Sequence, residues 1–192
     1  MQWSAPFLTQ APVALPVEVP TAREHVRGDT DDDALIGFYL ASAVMQAENA
    51  TGLFLITSTV QISCPMLERR TVLPIAPVQS LVIGYLDPTG TAQVVPADTY
   101  IVSGLGTTRP IITLRPGCAW PTAMEHPEAF TVTAICGYGD SGDAVPAPIK
   151  QAILLLVGDY YANREDTIAE RSVTPATLPN GVTVLLSRYE VW

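Results

Sequence analysis

Lysine is almost absent from this chain, since Lys150 is the only one among 192 residues, and the formal net charge is −9. Sequence-specific DNA binding requires basic patches that contact phosphate, so this composition argues against that class of function. Long hydrophobic runs are missing as well, because the longest, residues 152–158, is far shorter than the roughly 20 apolar residues that span a bilayer. No charged segment precedes a hydrophobic one at the N-terminus, so we expect neither a signal peptide nor membrane insertion.

Cysteine is also scarce. Cys64, Cys118 and Cys136 cannot all pair with one another, and they show no CxxC spacing. We therefore expect reduced thiols that behave as small core residues, as is usual in cytosolic proteins.

The usual catalytic and metal-binding patterns are missing too. No GxSxG, GxxxxGK[ST] or GxGxxG pattern occurs, and the only histidines, His25 and His126, have no partner at metal-ligand spacing. The cluster Asp29–Asp33 lacks the alternating ligands, the glycine and the distant glutamate of a calcium loop, whereas carboxylates are favoured at a helix N-terminus. Asp140 and Asp143 flank a turn and fit turn or capping roles. We therefore predict no enzymatic activity, no metal site and no cofactor.

The N-terminal part predicts an arm followed by two helices. Prolines at four positions favour an extended arm over residues 1–20. Thr21, with Glu24 three residues later, forms a capping-box pattern for a short helix. Asp29–Asp33 then opens a second helix, and Gly52 lies just past its predicted end.

The middle of the chain switches to the period-two pattern of β-strands. Val60, Ile62 and Cys64, for example, fall on one face of a predicted strand. Turn residues separate the apolar runs at short intervals, which favours antiparallel pairing. The predicted strands are Thr57–Cys64, Val78–Leu86, Thr91–Val95, Tyr100–Ser103, Pro110–Leu114 and Phe130–Cys136.

A very apolar helix is predicted to begin at Pro146 and to end at Arg164. Pro146 and Pro148 fit the entry of a helix, where a missing N–H costs nothing. Apolar residues then almost surround the helix, a pattern typical of a buried helix. Because this apolar surface is wider than one neighbour requires, we predict that it also contacts adjacent subunits. The predicted subunit-interface residues are Ile149, Ile153, Leu156 and Tyr160.

These segments predict an α+β fold, in which a helical unit carries an inserted antiparallel β region and a C-terminal tail segment. The predicted organisation is an extended arm at 1–20, one domain at 21–170 with helices at 21–52 and 146–164 and a β region at 57–136, and a linker with a C-terminal docking segment at 171–192.

The order and spacing of three segments resemble a known family. Residues 47–59 read AENATGLFLITST, residues 137–166 read GYGDSGDAVPAPIKQAILLLVGDYYANRED, and residues 178–189 read LPNGVTVLLSRY. Together they resemble the head–tail connector proteins, also called adaptor or head-completion proteins, of long-tailed bacteriophages and phage-derived gene transfer agents. The resemblance covers most of residues 20–190, and the proline-rich residues 1–20 depart from the family pattern.

This resemblance implies a structural virion protein that is made in the bacterial cytoplasm and located at the head–tail junction of a phage or gene transfer agent particle. It implies a twelvefold ring of identical subunits that binds the portal protein, extends the DNA channel and offers a docking surface to the stopper or tail-terminator protein. DNA would pass through this channel without specific binding, and an acidic chain agrees with weak binding of phosphate.

The C-terminal segment is predicted to anchor the protein on the portal, because the corresponding part commonly contacts the portal in the family that the chain resembles. Its apolar residues follow helical spacing on a piece too short to fold alone, which suits docking in a partner's groove. Folding back onto the helices of its own subunit is the open alternative. The predicted portal-binding residues are Leu178, Val182, Leu185, Leu186, Tyr189, Val191 and Trp192.

Two other functions are alternatives. A small β-rich binding module, such as a receptor- or glycan-binding accessory domain, would use the β region without forming a ring. An enzyme would require a paired acid, base and nucleophile, which this sequence lacks. Ring assembly separates the connector from the binding module, and a structure that depends on divalent metal would favour the enzyme.

Overall fold

The computed structural model describes residues 3–163 and 179–191, which form two compact units. The first, the β unit, contains the described residues of 1–13, 52–140 and 191–192. The second, the α unit, contains those of 14–51 and 141–190. Helices and antiparallel sheets are both present, so the predicted α+β class is confirmed at that level.

The described part of the α unit contains four α-helices. They are α1 Val19–Val26, α2 Asp33–Thr51, α3 Ala147–Ala162 and α4 Asn180–Leu186. Helix α3 packs against each of the other three, and α1 also packs against α2. The residues that each helix buries are Ala22 on α1, Ile36, Leu40, Ala43, Ala47 and Thr51 on α2, Ile149, Ala152, Ile153, Leu156 and Val157 on α3, and Val182 and Leu186 on α4.

The sequence predicted some helix ends correctly and others incorrectly. The capping box expected at Thr21 is wrong, because α1 begins earlier, at Val19, with proline in its first turn and no side-chain cap. The capping role of the aspartates is confirmed at Asp29, whose carboxylate accepts a hydrogen bond of 2.6 Å from the Thr30 amide before a single 3-10 turn. Gly52 has φ +73° just after α2, as expected for a residue that ends a helix.

Helix α3 is shorter and less completely covered than predicted. It spans 16 residues, and its buried positions lie on one side. Leu155 is exposed and Leu154 is half-buried. The prediction of a long helix that is buried on all sides is therefore wrong, because the neighbouring helices cover only part of the circumference of α3.

The β unit contains two antiparallel sheets. Its strands are β1 Phe7–Gln10, β2 Ser58–Cys64, β3 Arg70–Val72, β4 Val78–Leu86, β5 Ala92–Val94, β6 Tyr100–Ser103, β7 Ile111–Leu114 and β8 Phe130–Cys136. The five-stranded sheet has the order β1-β2-β8-β4-β5, and the three-stranded sheet has the order β3-β7-β6. One apolar cluster lies between them and includes Val60, Ile62, Leu73, Ile75, Val78, Ile83, Ile112, Phe130, Val132 and Cys136.

The period-two pattern predicted six of these strands and their antiparallel pairing. Two strands were missed, β1 and β3. All four side chains of β1 are exposed, so this strand has no alternating pattern to detect, and β3 has only three residues.

Candidate assembly surfaces

The outer side of α2 carries an apolar groove of about 550 Å³, which we call the α2 groove. Phe38 and Met45 form its prominent edges, with 68% and 64% of their surface exposed. They are seven positions apart, so they lie on the same side of the helix, two turns from each other. None of the lining residues is charged: they are Phe38, Ala41, Ser42, Met45, Gln46, Asn49 and Tyr160.

Contacts between α2 and α3 hold one wall of this groove in place. The Tyr160 hydroxyl donates a hydrogen bond to Oε1 of Gln46, and the rings of Tyr39 and Tyr160 lie 6.0 Å apart between centroids. Burial, with a smaller contribution from the Asp159 charge, raises the pKa of Tyr160. The hydroxyl therefore stays protonated at neutral pH and remains a donor to Gln46.

The residues predicted at subunit contacts lie in two different environments. Ile149, Ile153 and Leu156 are buried inside the α unit, so their side chains cannot meet another subunit while the unit is folded. Tyr160 is half-buried and lines the α2 groove. The groove residues Phe38 and Met45 were missed because they lie outside the apolar stripe of α2. Their spacing of seven residues nevertheless places them on one side of a helix, and the sequence shows this.

The residues predicted to bind the portal also lie in different environments. Val182 and Leu186 are buried, because α4 packs against α3 in the way that the alternative interpretation described. Leu185 and Tyr189 are half-buried. Val184, which is not among the predicted portal-binding residues, is 71% exposed.

The last residues of the predicted portal-binding set lie elsewhere. Val191 is half-buried in the β unit, where a Cβ on Gly52 would lie 3.3 Å from its side chain. Leu178 and Trp192 lie outside the described residues.

A second exposed apolar surface is the N-terminal arm, residues 3–13. Trp3 packs against the core of the β unit, and the Ser4 amide donates a 2.8 Å hydrogen bond to the Ser63 carbonyl. Strand β1 then pairs with β2 at the edge of the sheet, and Phe7 is 67% exposed with Leu8 beside it. The sequence signal for this surface was the lack of any charged residue before Glu18.

The aspartates near the start of α2 are occupied by structural contacts. Asp33 accepts hydrogen bonds of 2.7 and 2.8 Å from Nη1 of Arg23, and Asp32 accepts one from the Tyr161 hydroxyl. Among the described residues, no group of three or more His, Cys, Asp or Glu side chains could hold a metal ion. No helix in the same residues is long and apolar enough to cross a bilayer.

The three cysteines are free thiols in different environments. Burial raises the pKa of Cys64 to about 11 and that of Cys136 to about 12, so both remain protonated at neutral pH. Cys118 is exposed.

Solved structures of the same fold come from gene transfer agent (GTA) particles. A chain of the virion of a native GTA particle aligns with a TM-score of 0.75 and 24% identity, over 98% of this chain and 96% of that one. A chain from the neck of an empty GTA particle, computed with C6 symmetry, aligns with a TM-score of 0.72 and 24% identity over 98% and 96%. A chain from the neck of a native GTA particle, computed with C12 symmetry, aligns with a TM-score of 0.72 and 25% identity over 97% and 96%.

No protein-family model and no curated protein matches the chain. The structural similarity covers almost the whole length of both aligned chains, so it includes both the helices and the sheets. It supports a location in a virion, at the neck of the particle.

Proposed function

We propose that this chain is a ring-forming adaptor at the head–tail junction of a GTA-type particle, and that its role is structural rather than enzymatic. The observation that carries this proposal is the full-length similarity to a chain from the neck of a native GTA particle. A receptor- or glycan-binding module would not account for similarity that extends through the helices as well as the sheets.

In this proposal, identical subunits form a ring of twelve that extends the DNA channel. The C12 symmetry with which the similar neck was computed supports this number. The net charge of −9 fits such a channel, because a strongly basic wall would bind phosphate and retard the passing DNA.

The proposed contact with the portal protein is the exposed side of the C-terminal segment. Val182 and Leu186 hold α4 on α3, so the side chains left for a partner are those of Val184, Leu185 and Tyr189. The stopper or tail-terminator protein would then bind the side of the ring that faces away from the portal.

Mixing the purified protein with purified portal protein and imaging the mixture by negative stain tests this function. We expect rings of this chain stacked on the portal ring. Val184→Asp should abolish stacking without changing the melting temperature, because Val184 is exposed, whereas Val94→Asp, at an exposed valine of β5, should leave stacking intact. Failure of the unsubstituted protein to bind portal would contradict the proposal.

A further inference from the structure

Several exposed apolar surfaces of this acidic chain carry no charge, and two of them differ in shape. One is the N-terminal arm, within a stretch that reaches Glu18 before its first charged residue. The other is the α2 groove, whose seven lining residues are all uncharged. Another uncharged groove lies in the β unit, where Val82 and Val94 are exposed, and Val94 therefore serves below as the control. A contact between charged parts of two copies with net charge −9 would bring like charges together, which costs free energy.

A closed ring of identical subunits needs two different surfaces that fit each other. In a head-to-tail contact, one surface of a subunit meets a second, unlike surface of the next, and the contact repeats until the ring closes. The arm and the α2 groove differ in this way, because the arm exposes the Phe7 side chain whereas the other surface is a shallow groove.

The dimensions of the groove suit an aromatic side chain. Phe38 and Met45 are seven residues apart on α2, which corresponds to about 10 Å along a helix. Ala41 and Ser42, which have short side chains, lie between them along the helix and also line the groove. Phe7 is 67% exposed in its own β unit, where its strand is held by backbone pairing with β2.

We propose that Phe7 of one copy inserts into the α2 groove of the next copy, between Phe38 and Met45. The proposal rests on the ring function above and assigns its subunit contact. An uncharged apolar arm matches an uncharged apolar groove, whereas a nucleic acid would require cations, which neither surface contains. In this proposal, the arm connects each subunit to the next one in the ring.

Cysteine crosslinking tests this contact directly. In a Cys118→Ser background, which removes the exposed thiol, Phe7→Cys is combined with Ser42→Cys and oxidised in portal-bound rings. Because each subunit would be linked to the next, we expect a ladder of oligomers on a non-reducing gel rather than dimers alone. The pair Phe7→Cys with Val94→Cys is the matched control and should give no ladder.

The outcomes distinguish this contact from the ring function itself. Rings visible by negative stain without a ladder, or with a crosslink only inside single chains, overturn the contact and leave the ring function standing. Absence of rings in the Cys118→Ser background overturns both.

A truncation of the same side chain gives an independent measurement. Phe7→Ser should weaken ring assembly at least about tenfold, as loss of a buried aromatic anchor does at interfaces. Its melting temperature should stay unchanged, because Phe7 is exposed in the subunit, and Val94→Ser should assemble normally. Normal assembly of Phe7→Ser, or loss of portal binding by Phe38→Ser with rings intact, contradicts the proposed contact.

Discussion

The α unit and the β unit are stabilised by different kinds of contact. In the β unit, β2 and β8 pair without interruption from Ser58↔Cys136 to Cys64↔Phe130, so the backbone itself defines the arrangement. Among the described residues of the α unit, side chains join distant parts of the chain, as in the hydrogen bond that the Tyr160 hydroxyl donates to Gln46. The α unit therefore depends more on the identity of individual side chains, and the β unit more on backbone geometry.

The largest effect should come from a charge placed in the core of the α unit. Leu156→Asp buries an uncompensated carboxylate at a position with almost no exposure, so we expect the α unit to unfold. Circular dichroism should show loss of helical signal. The adjacent Leu155 is 36% exposed, so Leu155→Asp should lower the unfolding free energy by less, about 1 kcal/mol.

If Leu156→Asp and Leu155→Asp were equally stable, the packing of α3 described above would be incorrect. A helical signal that fell equally in both variants would lead to the same conclusion.

The next largest effect should come from a backbone position in the β unit. Gly137 has φ +123°, and a Cβ there would lie 2.6 Å from the carbonyl carbon of Ile56 and from the amide nitrogen of Thr57. Gly137→Ala therefore combines backbone strain with a clash against backbone atoms, and we expect a loss of about 3 kcal/mol or more.

Urea denaturation measures this loss, and the chain offers a matched control. Gly117 also has positive φ, but a Cβ there would meet nothing within 4 Å, so Gly117→Ala should cost only about 1 kcal/mol. Equal costs at the two positions would mean that the close approach of residues 56 and 57 to Gly137 contributes nothing.

A smaller effect is expected for the ion pair of the α unit. Both partners are partly exposed, so Arg23→Met should lower the unfolding free energy by about 0.2–1 kcal/mol at low salt and by less in 1 M salt. Arg70→Met in the β unit is the control, because Arg70 makes no ion pair among the described residues. A double-mutant cycle with Asp33→Ala gives the coupling, and a value that does not respond to salt would argue against an electrostatic origin.

The smallest effect should be a pH dependence at one turn of the β unit. Hydrogen bonds from the Thr89 hydroxyl and then from the Thr91 amide lower the pKa of Asp87 from its usual value of 3.8. The folded state therefore favours the carboxylate, and this contribution is present above about pH 4 and disappears as the pH falls through the lowered pKa. Melting temperatures recorded between pH 5 and pH 2.5 should fall slightly less for Asp87→Asn than for the unsubstituted protein, and a steeper fall would contradict the assignment.

The sequence predicted best those elements in which side chains alternate or repeat regularly. Strand β4 was predicted with its observed bounds, because apolar residues and flanking turns mark both ends. Strand β1 was missed because its stability comes from pairing with β2, a contact that leaves no pattern in exposed side chains.

The candidate surfaces were harder to predict than the fold. An apolar stripe indicates burial, but it does not say whether the chain's own helices or another subunit cover it. For this reason Ile153 was expected at a subunit contact and lies in the core of the α unit. The α2 groove depends on which sides of α2 and α3 remain uncovered, and that information exists only in the packed structure.

The division of the α unit between two stretches of chain has a consequence for synthesis on the ribosome. Helix α2 ends at Thr51 and α3 begins at Ala147, so the apolar side of α2 emerges about 95 residues before its main partner. At about 5–20 residues per second, this side stays uncovered for roughly 5–20 s. Strand β8, which completes the larger sheet, ends at Cys136, so that sheet can form during this interval. The nascent α unit is therefore the part of the chain that a chaperone would have to protect from aggregation.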